Sequence, residues 1–236
     1  MMEIDIQQKL KALEQQILDA YAKHTIIEQV CTTRPVDPTV KAGQFRQIAN
    51  NILIKRERIT TPNNFLLLGE IGASVAREEI RYLVRSLTEK SPKTEPESFT
   101  IATISNSART MADQGFTPNH IFMPIDYSHN VLEWNQSTKR RDWTKGGIFD
   151  TFYTEDGIFL KVTYSNKYMP FNDAILTSLE SNIWEYRPTE TPTRLTAKFD
   201  WNYSDPEDTI LRVKTVFYHM IVDVRGNLVI GLEPQN

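Results

Sequence analysis

The run from Ser98 to Trp134 constrains this chain more than any other. It reads S-F-T-I-A-T-I-S-N-S-A-R-T-M-A-D-Q-G-F-T-P-N-H-I-F-M-P-I-D-Y-S-H-N-V-L-E-W. Ile101, Ile104, Ala108 and Met111 recur at helical spacing and predict a helix with one buried stripe. Gly115 stands where a left-handed residue ends such a helix. Pro118 prevents re-entry into helix, an apolar strand follows at Ile121 to Met123, and a second short helix begins after Pro124. No residue in the run has the pattern of a catalytic group. The spacing describes a packed building block.

Hydrophobic residues make up 40% and charged residues 24% of the 236-residue chain, which places it among globular proteins of one large or two small domains. A net charge of −3 gives no overall attraction to nucleic acid or acidic membranes. The single cysteine, Cys31, can form neither an internal disulfide nor a thiolate cluster and is expected to be a small buried hydrophobe. The opening M-M-E-I-D-I-Q-Q-K-L lacks the basic and apolar regions of a signal peptide, and no apolar run approaches the roughly 20 residues that span a bilayer. The expectation is a protein of the cell interior, or one assembled there, with no membrane partner.

Ile6, Leu10, Leu13, Ile17, Ala20 and His24 follow one another at spacings of 4, 3, 4, 3 and 4, a 3.5-residue seam on an N-terminal helix. Such a seam suits a helix lying on its own domain or an arm reaching a neighbouring subunit. Two prolines and a glycine in residues 31–43 predict an extended arm or a loop. Ile52 to Ile59 is strand-like, Thr60 to Asn64 reads as a turn, and Phe65 to Leu68 as a short strand or a helix entry. A second helix is expected from about Ile71 to Glu89, apolar at Ala76, Ile80, Leu83 and Leu87, with Glu78, Glu79, Arg81 and Arg85 on the opposite side. The polar, proline-bearing segment 89–97 is the best linker in the chain. Beyond Trp134 the pattern turns to strands: Ile158 to Tyr164, Ala174 to Leu179, Ile183 to Tyr186, Leu195 to Trp201, Thr209 to Val222 and Leu228 to Leu232. Helices first and strands later indicate an α+β fold.

Chemistry is sparse. His24, His120, His129 and His219 have no metal-ligand spacing, and no phosphate loop or nucleophile elbow is present. Glu155-Asp156-Gly157 has the form of a hairpin turn. His219 reads as a hydrogen-bonded core histidine on a strand face. Lys139, Arg140, Arg141 and Lys145, interleaved with Trp134 and Trp143, form the one basic cluster, suited to a solvated tip, a contact between subunits or a grip on single-stranded nucleic acid. No catalytic residue, metal or cofactor is assigned.

The order helix, Gly115, Pro118, apolar strand Ile121 to Met123, Pro124 and Asp126-Tyr127 opening another helix resembles the axial domain of the tailed-phage major capsid and encapsulin superfamily, the Hong Kong 97-like capsid fold. The resemblance implies an N-terminal helix and arm over 1–43. It implies a peripheral domain over 44–97, built on a long spine helix and receiving the strand 209–222. An axial domain of helices around a central sheet would follow over 98–236. The extended loop of that family has only Phe45 to Leu67 to occupy. The implied function is a structural, non-enzymatic protein whose many copies close into an icosahedral container, holding nucleic acid or cargo protein, found in a virion or as a shell in the cytoplasm. The contacts expected between copies are Leu10, Leu13 and Ile17, then Arg81 and Arg85, then Lys139, Arg140, Arg141 and Lys145. The alternatives are an α+β enzyme or ligand-binding protein using His120, Asp126 and His129, or an adaptor that pairs through its first helix.

Overall fold

The computed structural model describes residues 2–36, 44–55, 62–96, 98–137, 151–167, 170–188, 194–201 and 208–232. In chain order the elements are α1 (Met2–His24), α2 (Ile27–Val30), β1 (Thr32–Pro35), β2 (Arg46–Lys55), α3 (Pro62–Lys90), α4 (Ile101–Asp113), β3 (Pro118–Met123), a 3-10 turn (Ile125–Tyr127) and α5 (Ser128–Ser137). The strands β4 (Thr151–Tyr153), β5 (Phe159–Tyr164), β6 (Ala174–Ser178), β7 (Asn182–Tyr186), β8 (Leu195–Trp201), β9 (Asp208–Ile221) and β10 (Asn227–Ile230) complete it. The α+β class and the predicted strands stand. One five-stranded sheet has the order β1-β7-β9-β2, with β8 also paired to β9. The other has the order β10-β6-β3-β5-β4.

Two compact units divide the chain. The first comprises 1–26, 34–79 and 185–218, and the second 27–33, 80–184 and 219–236. The division falls inside α3, β7 and β9 and not at the segment 89–97. That segment is no free tether: Pro92 O accepts from Val229 N at 2.8 Å, Thr94 N donates to Val229 O at 2.9 Å, and Lys93 Nζ reaches Asp173 at 2.7 Å. The residues read as a linker cap the outer edge of β10.

In the first unit β9 runs antiparallel to β2 from Arg46↔Phe217 to Lys55↔Asp208, and to β8 from Leu195↔Thr215 to Trp201↔Thr209. Leu211 and Val213 of β9, Leu195, Ile54, and Leu68, Val75 and Ala76 of α3 form one core with Leu10, Leu13, Ile17 and Tyr21 of α1. The predicted seam therefore shifts: Tyr21 is buried, while Ala20 is half-buried and His24 exposed. A straight helix lying on its own domain follows 3.6 residues per turn, so its stripe drifts away from a 3.5 seam within two or three turns. The N-terminal helix is packed on its own unit.

Two further expectations are corrected. Pro62 to Asn64 begins α3 instead of making a turn, because proline at the first helical position forfeits a hydrogen bond that the position lacks anyway. Glu79 faces inward, fully buried. It lies three residues after Ala76 and four before Leu83, so its side chain falls on the apolar stripe. Tyr21 Oη donates to Glu79 Oε2 at 2.6 Å and Thr215 Oγ1 donates to Oε1 at 2.9 Å. Burial raises the pKa of Glu79, partly offset by the Tyr21 hydrogen bond, the Arg194 charge and the Thr215 hydrogen bond. Burial, then the neighbouring Glu79, pushes the Tyr21 phenol up.

The second unit is built around the Ser98 to Trp134 run. Thr100 caps α4 by accepting from Thr103 N at 3.1 Å. At the other end Gly115 sits at φ +87, its N–H bonds Ala112 O at 2.9 Å, and Phe116 N bonds Met111 O at 3.0 Å. Those two bonds form a Schellman cap. Strand β3 then pairs parallel with β5 and antiparallel with β6. The parallel pair requires a long crossover, and α5 and β4 lie within it. Ile104, Ala108, Met111, Ile121, Met123, Val131, Phe152, Leu160 and Leu176 share its core. The 154–157 turn carries Gly157 at φ +82 between β4 and β5, as the Asp-Gly pattern predicts. Cys31 is buried, as expected.

Two predictions follow from the first unit. A Cβ at Gly72 would fall inside van der Waals contact of Ile17 O and meet Tyr21 N at 2.9 Å, both backbone atoms. Gly72→Ala gains about 1 kcal/mol of helix propensity yet is expected to destabilise on balance. A urea midpoint at or above wild type would contradict the close approach of α1 and α3. Glu79 holds its proton to higher pH when folded than when unfolded, so its contribution to stability fades as pH rises above its unfolded pKa of about 4.5. The cost of Glu79→Gln should accordingly shrink from pH 4.5 to pH 8, and a cost that grows over this range would refute the assignment.

Candidate functional site

The sequence-predicted contact residues fall into three environments. Leu13 and Ile17 are fully buried and Leu10 is 8% exposed, all within the core of the first unit. Their apolar surface is covered within this unit by β8, β9 and α3. Alongside them, an open groove of about 550 Å³ runs between α1 and β8, and Glu14 reaches across to accept from Phe199 N at 2.7 Å. Arg81 and Arg85 lie exposed on α3 in the second unit. Arg85 Nε donates to Glu89 Oε1 at 2.8 Å, one turn along the helix. A shallow cavity of about 410 Å³ separates this face from Pro170 to Asp173. Lys139, Arg140, Arg141 and Lys145, with Trp143, lie outside the described residues. Trp134 packs inward, 5.7 Å from the rings of both Phe99 and Phe152.

The enzyme alternative required His120, Asp126 and His129 to work together. His120 is buried, with Nε2 2.9 Å from Thr163 Oγ1, and burial, assisted by the Lys161 charge, lowers its pKa to about 3. Asp126 and His129 are exposed. The cavity beside Asp126, about 640 Å³, is lined by neither histidine. Among the described residues no group of three His, Cys, Asp or Glu side chains could hold a metal ion. No described helix is long and apolar enough to cross a membrane.

Sequence reasoning expected His219 to be a bonded core histidine but missed the network around it. All of its members lie in the second unit. His219 Nδ1 is 3.0 Å from Ser86 Oγ on α3, and Nε2 is 3.2 Å from Asn182 Oδ1 on β7. Asn182 Nδ2 donates to Thr177 Oγ1 at 2.8 Å, to Ser178 O at 2.9 Å and to Asn227 Oδ1 at 2.8 Å. Because Asn182 presents only its oxygen to the ring, Nε2 carries the proton and Nδ1 accepts from the Ser86 hydroxyl. Burial, reinforced by the Lys90 charge, lowers the pKa of His219 to about 3. The available signal was periodicity: His219 shares a face of β9 with Leu211, Val213 and Phe217, and Ser86 lies three residues after Leu83 on the α3 stripe.

An apolar corner lies elsewhere on this unit. Leu179, Val222 and Val224 are exposed, and Val222 N bonds Ser181 O at 2.8 Å. Exposed apolar clusters of this kind mark surfaces that meet a partner.

No protein-family model and no curated protein matches the sequence. The fold does match solved structures. A virus-like particle from Pyrococcus furiosus is similar over 95% of this chain and 99% of that one, at a TM-score of 0.64 and 11% identity. The holo-SrpI encapsulin complex from Synechococcus elongatus PCC 7942 is similar over 89% of this chain and 90% of that one, at 0.60 and 10%. A phage-related protein from Bordetella bronchiseptica RB50 is similar over 94% and 96%, at 0.57 and 11%. The chain therefore has the Hong Kong 97-like capsid fold that its sequence resembled.

Proposed function

We propose that many copies of this chain assemble into a closed icosahedral shell. The observation that carries this reading is the whole-length likeness to the Pyrococcus furiosus particle: the correspondence takes in nearly the entire subunit on both sides. In this reading the first unit is the peripheral domain and α3 its spine, while the second unit is the axial domain. The helix that opens the chain serves the subunit's own core. Contacts between copies then fall to the exposed Arg81 and Arg85 and to the exposed apolar corner at Leu179, Val222 and Val224, with the basic segment Lys139 to Lys145, outside the described residues, as a further candidate. Each is weak alone, and closure of a symmetric assembly sums many of them. The role is structural and requires no catalytic group. The contents are a packaged genome or a protein cargo, and the assembled shell is a virion or a particle in the cytoplasm.

Light scattering after size-exclusion chromatography tests this reading. The expected species is a narrow peak on the order of a megadalton or more. A mass that stays at the 27.3 kDa monomer across salt and concentration would overturn it. A second expectation concerns the arginines. Because surface ion pairs add little stability, Arg81→Glu with Arg85→Glu should lower the yield of particles while leaving the subunit's thermal unfolding unchanged. Normal particle yield would remove these residues from the interface.

A further inference from the structure

One charge pattern exists only in the folded chain. In the first unit β9 lies between β2 and β8, and strand alternation sorts the side chains of all three. Leu211 and Val213 face the core with Ile48, Ile52, Leu195 and Phe199. The residues between them face the other way. Register places Ala49, Lys214 and Thr196 in one row across the three strands, and Asn51, Arg212 and Lys198 in the next. Arg212 and Lys198 are exposed and Lys214 is half-buried. Just before β2 the same alternation turns Phe45 onto this face, with its ring centroid 6.2 Å from that of Tyr218. The Arg187 guanidinium lies 4.4 Å from the Phe45 ring centroid, and Arg187 N donates to Val216 O at 3.0 Å.

The cations outnumber the carboxylates beside them. Arg212 Nε bonds Asp200 at 2.8 Å, and Arg34 Nε bonds the neighbouring Glu185 at 3.1 Å. Among the described residues, Arg34, Arg187, Lys198, Arg212 and Lys214 therefore stand against two acids, on a chain whose net charge is −3. Lys198 and Arg212 are directly opposite one another across the β8–β9 pair. Like charges so placed cost stability in a free sheet.

The cations also form a line. Lys198 and Arg212 share a row, Lys214 stands one row along, and Arg187 lies beyond Val216. Rows on one face are about 6.7 Å apart along a strand, and neighbouring strands about 4.8 Å apart. The side chains between them, Asn51, Thr196 and Ala49, are uncharged. One carboxylate from a protein surface satisfies one or two cations. A line of cations fits a partner whose own negative charge repeats, and aromatic rings at one end give a base a surface to lie on.

We propose that this face of the first unit binds the phosphate backbone of single-stranded nucleic acid, through Lys198, Arg212, Lys214 and Arg187, with Phe45 and Tyr218 beside the bases. The net negative charge of the chain confines such binding to this face. The inference goes beyond shell formation and does not rest on it, since one subunit carries the whole face.

Fluorescence anisotropy of a labelled oligothymidylate with the full chain, over a salt series, tests the proposal. Three or four neutralised phosphates give a slope of about −2 to −3 in log affinity against log salt. Lys198→Gln with Lys214→Gln should weaken binding about 25-fold at 0.1 M salt and make the slope shallower by about 1.4, with thermal unfolding at or above wild type. Arg140→Ala with Arg141→Ala should leave affinity and slope unchanged. Ultraviolet crosslinking of the bound oligonucleotide should label peptides that contain Phe45 or Tyr218. Absent binding, a slope unmoved in the double lysine variant, loss of binding in the double arginine variant, or labelling confined to other peptides would overturn the proposal. Unchanged oligonucleotide affinity in the double lysine variant, together with loss of particles, would also overturn it and assign the face to the acidic surface of a second copy.

Discussion

The second unit depends on the buried hydrogen bonds that converge on Asn182. The Asn182 amide shares its two hydrogens among Thr177 Oγ1, Ser178 O and Asn227 Oδ1 and presents its oxygen to His219, so partners from β6, β9 and β10 meet at one side chain. Apolar packing alone tolerates sliding, since the attraction between methyl groups has little direction. Directional bonds of this kind fix register, and a buried donor left unmade costs about 1–3 kcal/mol. The network therefore specifies how β6, β7, β9 and β10 come together, while the leucines, isoleucines and aromatics around α4 and β3 provide most of the burial.

A comparable pairing of close packing and buried polarity organises the first unit. Helix α1 approaches α3 closely enough that only glycine fits at position 72. Beside that contact, Tyr21 and Thr215 supply two donors to Glu79, so a carboxyl group inside the core keeps both oxygens bonded. Burying it unpaired would cost several kcal/mol. Polar residues thus recur at the points where a long helix or strand must meet something in one particular way.

Much of this was legible in the sequence. The Ser98 to Trp134 run announced its cap, its strand and its second helix because glycine and proline act locally, and local signals survive without tertiary context. The α+β class followed from periodicity, and the resemblance to the capsid fold followed from the order of those signals. What escaped was set by neighbours distant in sequence. Tyr21 replaced Ala20 and His24 on the buried face because α1 packs as a straight helix against both the sheet and α3 of its own unit, and its stripe drifts off a 3.5-residue seam. Residues 89–97 read as a linker because their prolines and charges hide that Pro92 and Thr94 bond the edge of β10. Pro62 reads equally well as a turn residue or a helix start, and only the following 28 residues of α3 decide it. Glu79 and Ser86 sat on the apolar stripe by simple counting, yet their partners come from α1 and β9, and no local pattern names them. The basic segment Lys139 to Lys145 was conspicuous in sequence and lies outside the described residues.

In the proposed assembly this subunit, with its outward Arg81, Arg85 and apolar corner, is one tile of a closed container. Electron cryomicroscopy of the purified full chain tests it most directly. The expected result is closed particles of icosahedral symmetry in which those surfaces of the second unit are covered by neighbouring copies. Dispersed monomers, or an assembly that leaves these surfaces bare, would contradict it.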